Sequence, residues 1–303
     1  MSTNTMVVKV RKSGIPKQYL FNLAGGAFVL ATVVLGVRYT VFAEAVPVCE
    51  DRYARTTSIP LASASGVPLT KANFQSRIGG REWGVFEHAS IAKKAGASDG
   101  VMLTVDLPRP TSTDRKGGTA RYPGSGLGFD WRPGVIGAAT SGCLSYEIFL
   151  PKTWSYNASG VLPGLYGGRK GMNARSREVG SFEARVAWSY GPRLGINLYR
   201  GGREHKVRVG TEPPRYHVPV GRWVMVVQEI ALNTPGKADG VMRLWVDGDL
   251  RLDLAGVKIY DGKERPRLLG VTADTHYGDP GDKWQGAPQP TKIMMTPFRL
   301  YWN

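Results

Sequence analysis

Residues 241–248 read VMRLWVDG, and this stretch indicates the fold class most directly. Six residues that suit a β-strand lead into Asp247-Gly248, a dipeptide that favours the tight turn of a β-hairpin. Upstream, residues 144–150 read LSYEIFL and alternate between polar and apolar side chains, the pattern of a strand with one face buried. The two stretches predict antiparallel strands in a packed sheet.

Similar short runs fill the rest of the chain after about residue 90, where convincing helical periodicity is almost absent. The chain also has 39 Gly and 20 Pro, spread without a repeat period, which is typical of a protein with many turns. The further predicted strands are Val101–Leu107, Phe182–Trp188, Gly195–Tyr199, Trp223–Ile230 and Phe298–Trp302. These patterns predict an all-β fold, a β-sandwich or jelly roll, over residues 76–303.

Near the N-terminus, Tyr19 to Val37 is a run of 19 residues without a charge. At about 1.5 Å per residue, a helix of this length just spans the hydrocarbon layer of a membrane. The basic residues that precede the run place the N-terminus in the cytoplasm by the positive-inside rule. We therefore predict a cytoplasmic tail at 1–17, a single transmembrane helix at 18–42 and a linker or irregular arm at 43–75.

A cleaved signal peptide is the alternative, because Ala43-Glu44-Ala45 offers a small-x-small cleavage site. The apolar run is longer than the core of a usual signal peptide, and Arg38 interrupts the approach to the site. We therefore favour an uncleaved anchor in a bacterial inner membrane, with the C-terminal domain in the periplasm.

Small residues cluster within this predicted span, where they would let another helix approach closely. They are Ala24, Gly25, Gly26, Ala27 and Ala31. Integral membrane proteins that pack against residues 18–42 are therefore the predicted partners.

The net charge of +16 favours anionic partners, among them acidic polysaccharide. Nucleic acid is not predicted, because no motif of a nucleic-acid-binding fold is present. A solvated basic surface that binds nothing specific is the alternative. The two cysteines, Cys49 and Cys143, would both lie outside the cytoplasm, which permits a disulfide between them or leaves two independent thiols.

Several segments, in the same order along the chain, resemble polysaccharide lyase family 14, the alginate and glucuronate lyases. The most specific are LPGLYGG at residues 162–168 and LNTPG at 232–236, with FEAR at 182–185 followed by Trp188, and WVDG at 245–248. The resemblance covers roughly residues 100–303. It implies a jelly roll of two curved antiparallel sheets with a groove for an acidic polysaccharide.

The resembling lyases use a lysine just before LPGLYGG, the serine and arginine of an FSAR segment, and a Tyr-x-Tyr pair farther on. In this chain the resemblance places Val161 at the lysine, Glu183 at the serine and Asn197 at the first tyrosine, so three of the positions are substituted. Arg185 and Tyr199 are kept. A lyase must stabilise the uronate carboxylate and needs a base and an acid, so the site is predicted to be inactive.

No other chemistry is predicted from motifs. The four histidines lack the spacing of metal ligands, and no phosphate-binding loop or nucleophile motif occurs, so neither a metal nor a cofactor is expected. Trp154, Tyr166 and Tyr199 are candidates for stacking on a sugar, with the core of the sandwich as the alternative place for them.

Three functions follow from these observations. The first is a non-catalytic accessory or structural subunit of a bacterial membrane complex, respiratory or photosynthetic, in which a degenerate lyase domain has been recruited. The second is a protein that binds an acidic polysaccharide without cleaving it. The third is an active lyase that acts by β-elimination with an altered site; whether the chain is an enzyme thus stays open, with the balance against it.

Overall fold

The computed structural model describes residues 49–78, 82–93, 100–109, 125–169, 180–188, 191–201, 203–209, 217–278 and 286–303. The predicted cytoplasmic tail and the predicted membrane span lie outside these residues. Within the described ranges, no helix has both the length and the apolar character needed to cross a membrane.

Two antiparallel sheets make up the described part of the chain, with strands numbered in chain order. The nine-stranded sheet contains β1 (Arg55–Ser58), β3 (Ala89–Lys93), β4 (Val101–Leu107), β6 (Ser141–Phe149), β11 (Trp223–Ala231), β12 (Gly240–Val246), β13 (Asp249–Val257), β16 (Thr291–Met295) and β17 (Arg299–Trp302). Its order is β13-β12-β11-β6-β16-β4-β3, while β17 pairs with β6 and β1 pairs with β17.

The eight-stranded sheet contains β2 (Glu82–Trp83), β5 (Gly128–Trp131), β7 (Gly160–Gly168), β8 (Ser181–Trp188), β9 (Leu194–Arg200), β10 (Arg203–Val209), β14 (Arg267–Thr272) and β15 (His276–Tyr277). Its order is β10-β9-β8-β7-β14-β5-β2, and β15 pairs with β7. The non-sequential strand orders are those of a jelly-roll sandwich, so the predicted fold class of the domain is confirmed.

Strand alternation explains how the sheets face each other. In β6, Leu144, Tyr146 and Ile148 belong to the shared core, while Ser145 and Glu147 face outward and are partly exposed. The turn between β12 and β13 also forms as predicted, because Asp247 and Gly248 both have positive φ, at 53° and 82°. Sequence pattern and turn chemistry therefore agree with the observed pairing.

The segment predicted as a linker or arm contains regular structure where it is described. A short helix α1 (Cys49–Arg52) precedes β1, and a second helix α2 (Lys71–Ile78) follows it. The hydroxyl of Thr70 accepts a hydrogen bond from the Asn73 amide at the start of α2, and the helix buries Phe74 against the sandwich. A third helix, α3 (Val85–His88), and a 3₁₀ turn (Gly134–Ile136) complete the elements.

Pro163 lies inside β7, a central strand, although proline has no amide hydrogen for a sheet ladder. The register between β7 and β8 shifts at this point, because Leu162 pairs with Val186 while Gly164 pairs with Arg185. Pro163 is thus the extra residue of a β-bulge, which is where a central strand tolerates proline.

The facing sheet supplies the hydrogen bonds that the bulge requires. Gln228 of β11 accepts a hydrogen bond from the Leu165 amide at 2.9 Å and donates one to the Ala184 carbonyl at 3.0 Å. Tyr146 donates its hydroxyl to the Pro163 carbonyl at 2.9 Å. Gln228 is fully buried, so these bonds satisfy polar groups that water cannot reach.

We predict that Gln228→Leu lowers the free energy of unfolding by about 3 kcal/mol, because it leaves the Leu165 amide and the Ala184 carbonyl buried without partners. Gln289→Leu is the matched control, since Gln289 is exposed and donates only to the Thr153 carbonyl. That change should stay within about 0.5 kcal/mol of wild type. Urea denaturation measures both, and equal effects would show that Gln228 does not support the bulge.

Stability should also fall at alkaline pH. Burial raises the pKa of Tyr146 and Tyr277, and burial together with the hydrogen bond to Glu50 raises the pKa of Tyr301 to about 12. In the unfolded chain these phenols ionise near pH ~10. Above that pH the unfolded state has lost protons that the folded state retains, so the free energy of unfolding decreases until the folded pKa values are passed.

Urea denaturation across the alkaline range, with phenolate absorbance recorded in parallel, measures this effect. Tyr301→Phe removes one of these phenols and should make the loss of stability with pH less steep. A stability that does not change between neutral pH and pH ~12 would contradict the prediction.

Candidate functional site

The residues at the five positions named from the resemblance lie on the outer face of the eight-stranded sheet. Strand pairing sets Glu183 opposite Tyr199 and Arg185 opposite Asn197, so these four form a compact group on β8 and β9. Val161 pairs with Ala187, two residues along β8 from Arg185 and therefore on the same face.

The bulge at Pro163 explains why β7 joins this face. Leu162 and Leu165, three residues apart, both belong to the core, and the extra residue between them makes that spacing possible. Val161 and Tyr166 point away from that core, and Tyr166 packs instead against Leu269.

Arg185 is the centre of a buried ion cluster. Its Nε donates to Oε1 of Glu183 at 2.7 Å, its Nη2 contacts the same oxygen, and Nη2 also lies 2.9 Å from Oδ2 of Asp274. The guanidinium sits 5.4 Å from the ring centre of Tyr199, and Thr272 donates its hydroxyl to Glu183 at 3.2 Å. Arg185 is 5% exposed, Glu183 6% and Asp274 0%.

The charges in this cluster fix the protonation of the arginine. Burial by itself would lower the pKa of Arg185, but the nearby charges of Glu183 and Asp274 outweigh burial and raise the pKa above its ordinary value. The guanidinium is therefore charged, and two carboxylates share it.

Asp274 and Thr272 were missed by the sequence analysis. Asp274 follows β14, a strand that pairs with β7 rather than with β8, so no local spacing connects it to Arg185. The one available signal was an acidic residue within the apolar run that ends in Tyr277. Such a residue needs a partner if it is buried.

The other candidates of the sequence analysis fall elsewhere. Trp154 belongs to the core of the sandwich and stacks on Tyr277 with ring centres 5.0 Å apart, whereas Tyr166 is buried outside that core, against Leu269. Tyr199 is half-buried. His276 is buried beside Trp83, with ring centres 5.8 Å apart.

Among the described residues, no group of His, Cys, Asp and Glu side chains is placed to hold a metal ion.

Cys49 and Cys143 are joined by a disulfide, with Cα atoms 5.7 Å apart, on the outer face of the other sheet. The disulfide and the Arg185 cluster therefore lie on different sheets.

The LNTPG segment, one of the most specific parts of the resemblance, has a structural role here. Asn233 is buried, its Nδ2 lies 3.0 Å from the carbonyl oxygens of Thr234, Lys237 and Tyr260, which share its two hydrogens, and its Oδ1 accepts from the Tyr260 amide at 2.7 Å. Asp239 accepts a hydrogen bond from the Thr234 amide, which lowers the pKa of Asp239. This segment therefore fixes the turn between β11 and β12 and does not contribute to the cluster at Arg185.

We predict that Arg185→Met lowers the free energy of unfolding by about 3 to 5 kcal/mol, because Glu183 and Asp274 lose their shared cation while buried. The control is Arg222→Met, which breaks an ion pair with Asp247 in which the arginine side chain is 54% exposed. That change should cost less than about 1 kcal/mol. Chemical denaturation compares the two, and a small effect of Arg185→Met would mean that the cluster is hydrated and open.

Comparison with known proteins adds two findings. Residues 204–298, less than half of the chain, match the family model Polysaccharide lyase 14. A comparison with curated proteins found no match.

Several solved structures share the fold. The marine PL-14 alginate lyase from Aplysia kurodai has a TM-score of 0.62 at 18% identity, over 83% of this chain and 99% of that one. Alginate lyase vAL-1 from Chlorella virus has a TM-score of 0.55 at 14% identity, over 71% and 89% of the two chains. The endo-beta-1,4-glucuronan lyase from the fungus Trichoderma reesei has a TM-score of 0.51 at 13% identity, over 83% and 96%.

Proposed function

We propose that this chain, which has a polysaccharide lyase 14-like jelly-roll fold, is a non-catalytic accessory or structural subunit of a bacterial membrane complex. The observation that carries the proposal is the buried cluster in which Glu183 and Asp274 share Arg185. The alginate and glucuronan lyases that share the fold are named for acidic polymers, whereas in this cluster two carboxylates already contact the arginine.

A β-elimination requires groups that stabilise the negative charge growing on the uronate carboxylate. Arg185 is the remaining cation at the five positions, and its Nε and Nη2 atoms are already bound to carboxylates. Glu183 by itself would repel a uronate carboxylate about 4 Å away by about 4 kcal/mol at an effective dielectric constant near 20, and this repulsion opposes the attraction of the carboxylate to Arg185. The geometry therefore opposes the binding step on which a lyase depends.

The positions that would supply the acid and the base have also lost ionisable side chains. Val161 cannot carry a charge or a proton, and Asn197 has no ionisable group. Of the five positions, Tyr199 alone keeps a hydroxyl of the expected type.

The membrane role rests on the sequence. The uncharged run from Tyr19 to Val37, the basic residues before it and the small residues within it support a single anchor that packs against other helices. A domain that no longer cleaves its polymer but remains anchored in this way suits a subunit that contributes surface to an assembly.

Binding of an acidic polysaccharide without cleavage is the second candidate, which the net charge of +16 favours. The burial of Arg185 counts against it, because this arginine is 5% exposed and paired with two carboxylates. A polysaccharide would have to displace those carboxylates before it could bind the cation.

The purified full chain should yield no unsaturated sugar from alginate, glucuronan or other uronate polymers. The new double bond that β-elimination creates is measured by its ultraviolet absorbance. An active PL-14 alginate lyase in the same buffers is the positive control, and product formation by this chain would overturn the non-catalytic assignment.

Purification in mild detergent tests the subunit role. We expect integral membrane proteins to remain bound to the full chain in fixed ratio, as identified by mass spectrometry. In the control variant, an unrelated membrane span replaces residues 18–42; it should still reach the membrane but lose these partners. A wild-type chain that purifies alone would contradict the proposal.

A further inference from the structure

One row of paired residues crosses the outer face of the nine-stranded sheet, on the side opposite the Arg185 cluster. The row consists of Asp253 on β13, Arg243 on β12, Glu229 on β11, Cys143 on β6 and Tyr301 on β17. Residues paired directly across neighbouring strands share a face, so these side chains form a continuous line.

The segment Cys49–Tyr53 lies on this row. Cys49 forms the disulfide with Cys143, and Tyr301 donates its hydroxyl to Glu50 at 2.8 Å. Cys49 is 2% exposed and Cys143 is 0% exposed, so the bond is shielded from solvent.

Glu229 binds the other end of the segment. Arg52 donates to its Oε2 at 3.1 Å and Tyr53 donates to its Oε1 at 2.8 Å, while Arg243 of the neighbouring strand holds Oε2 at 2.9 Å. The Glu229 side chain is 1% exposed. A buried carboxylate with three donors resists any movement that would remove two of them.

We propose that the Cys49–Cys143 disulfide and Glu229 together form a redox-sensitive lock that holds Cys49–Tyr53 on the outer face of the nine-stranded sheet. This deepens the proposed function and rests on it in one respect, namely that the segment follows the predicted membrane span. The lock would then fix which face of the sandwich is tied to the anchor.

The redox step is a thiol–disulfide exchange with a dithiol as reductant. One thiolate of the dithiol attacks a sulfur of the Cys49–Cys143 bond, the other cysteine leaves as a thiolate and takes up a proton, and a mixed disulfide forms. The second thiol of the reductant then attacks the mixed disulfide. The dithiol ends as a disulfide, and Cys49 and Cys143 each end as a thiol.

Because the disulfide is shielded from solvent, its reduction depends on breaking the hydrogen bonds between the segment and Glu229. The attacking thiolate can reach the buried sulfurs only when the segment lifts, and lifting breaks the hydrogen bonds of Arg52 and Tyr53 to Glu229. The polar contacts should therefore control the rate of reduction, and the disulfide should keep the polar contacts formed.

The lock also limits how far the attached face of the domain can move from the predicted membrane span. Residues 43–48 separate the predicted span from Cys49, and at about 3.5 Å per residue these six residues reach at most roughly 20 Å. With the segment fixed, that tether begins at the row on the nine-stranded sheet. With the segment released, the tether begins farther along the chain and the face is no longer specified.

The test measures how fast dithiothreitol reduces the disulfide in the full chain held in detergent, with alkylation and mass spectrometry as the readout. The double variant Arg52→Ala/Tyr53→Phe removes the segment's contacts to Glu229 and leaves the Arg243 pair intact. We expect reduction to become about tenfold faster, the effect of weakening two hydrogen bonds. The control Arg222→Ala, at an exposed ion pair elsewhere, should leave the rate unchanged.

Equal rates in wild type and in the double variant would overturn the lock, as would two alkylated thiols in the untreated protein. Trypsin gives a second readout that does not depend on the substitutions. Cleavage after Arg52 should be slow in the oxidised chain and fast after reduction, and equal cleavage would also overturn it. Neither readout requires a partner, so the lock and the subunit role can fail independently.

Discussion

Pro163 imposes the constraint on which the rest of the sandwich depends. A central strand that contains proline loses a ladder hydrogen bond, so β7 forms a bulge and depends on the opposite sheet for its hydrogen bonds. Gln228 and Tyr146 provide them through the core. The two sheets are thus joined by directional hydrogen bonds as well as by apolar contact, and this fixes their relative register behind the Arg185 cluster.

The bulge shifts the alternation of β7, so the residues after Pro163 that lie on the outer face differ from those that strict alternation would place there. On one side of it lies Val161, on the other lies Gly164, which is paired with Arg185. A cation held beside a close approach of backbone is a suitable place to bind an anion. Glu183 and Asp274 contact that cation in this chain.

Much of this could be predicted from the sequence because the signals are local. The hairpin at 241–248 and the alternating strands fold as their patterns require. Asp274 could not be predicted, because its approach to Arg185 depends on strand order. Gln228 was missed for the same reason, since a polar residue in a strand does not reveal which backbone atoms it will meet. The predicted membrane span lies outside the described residues and stays a prediction.

The carboxylates on the two outer faces differ in how many cationic side chains they contact. On the nine-stranded sheet, Asp253, Arg243, Glu229 and Arg52 alternate in sign, so each acid contacts a base. The adjacent disulfide closes a separation of 94 residues and so removes chain entropy from the unfolded state, an effect of roughly 4 kcal/mol. On the eight-stranded sheet, one arginine serves two carboxylates. A row of alternating charges beside a covalent bond is suited to holding a chain segment. The nine-stranded sheet therefore carries both the covalent and the ionic attachments of Cys49–Tyr53.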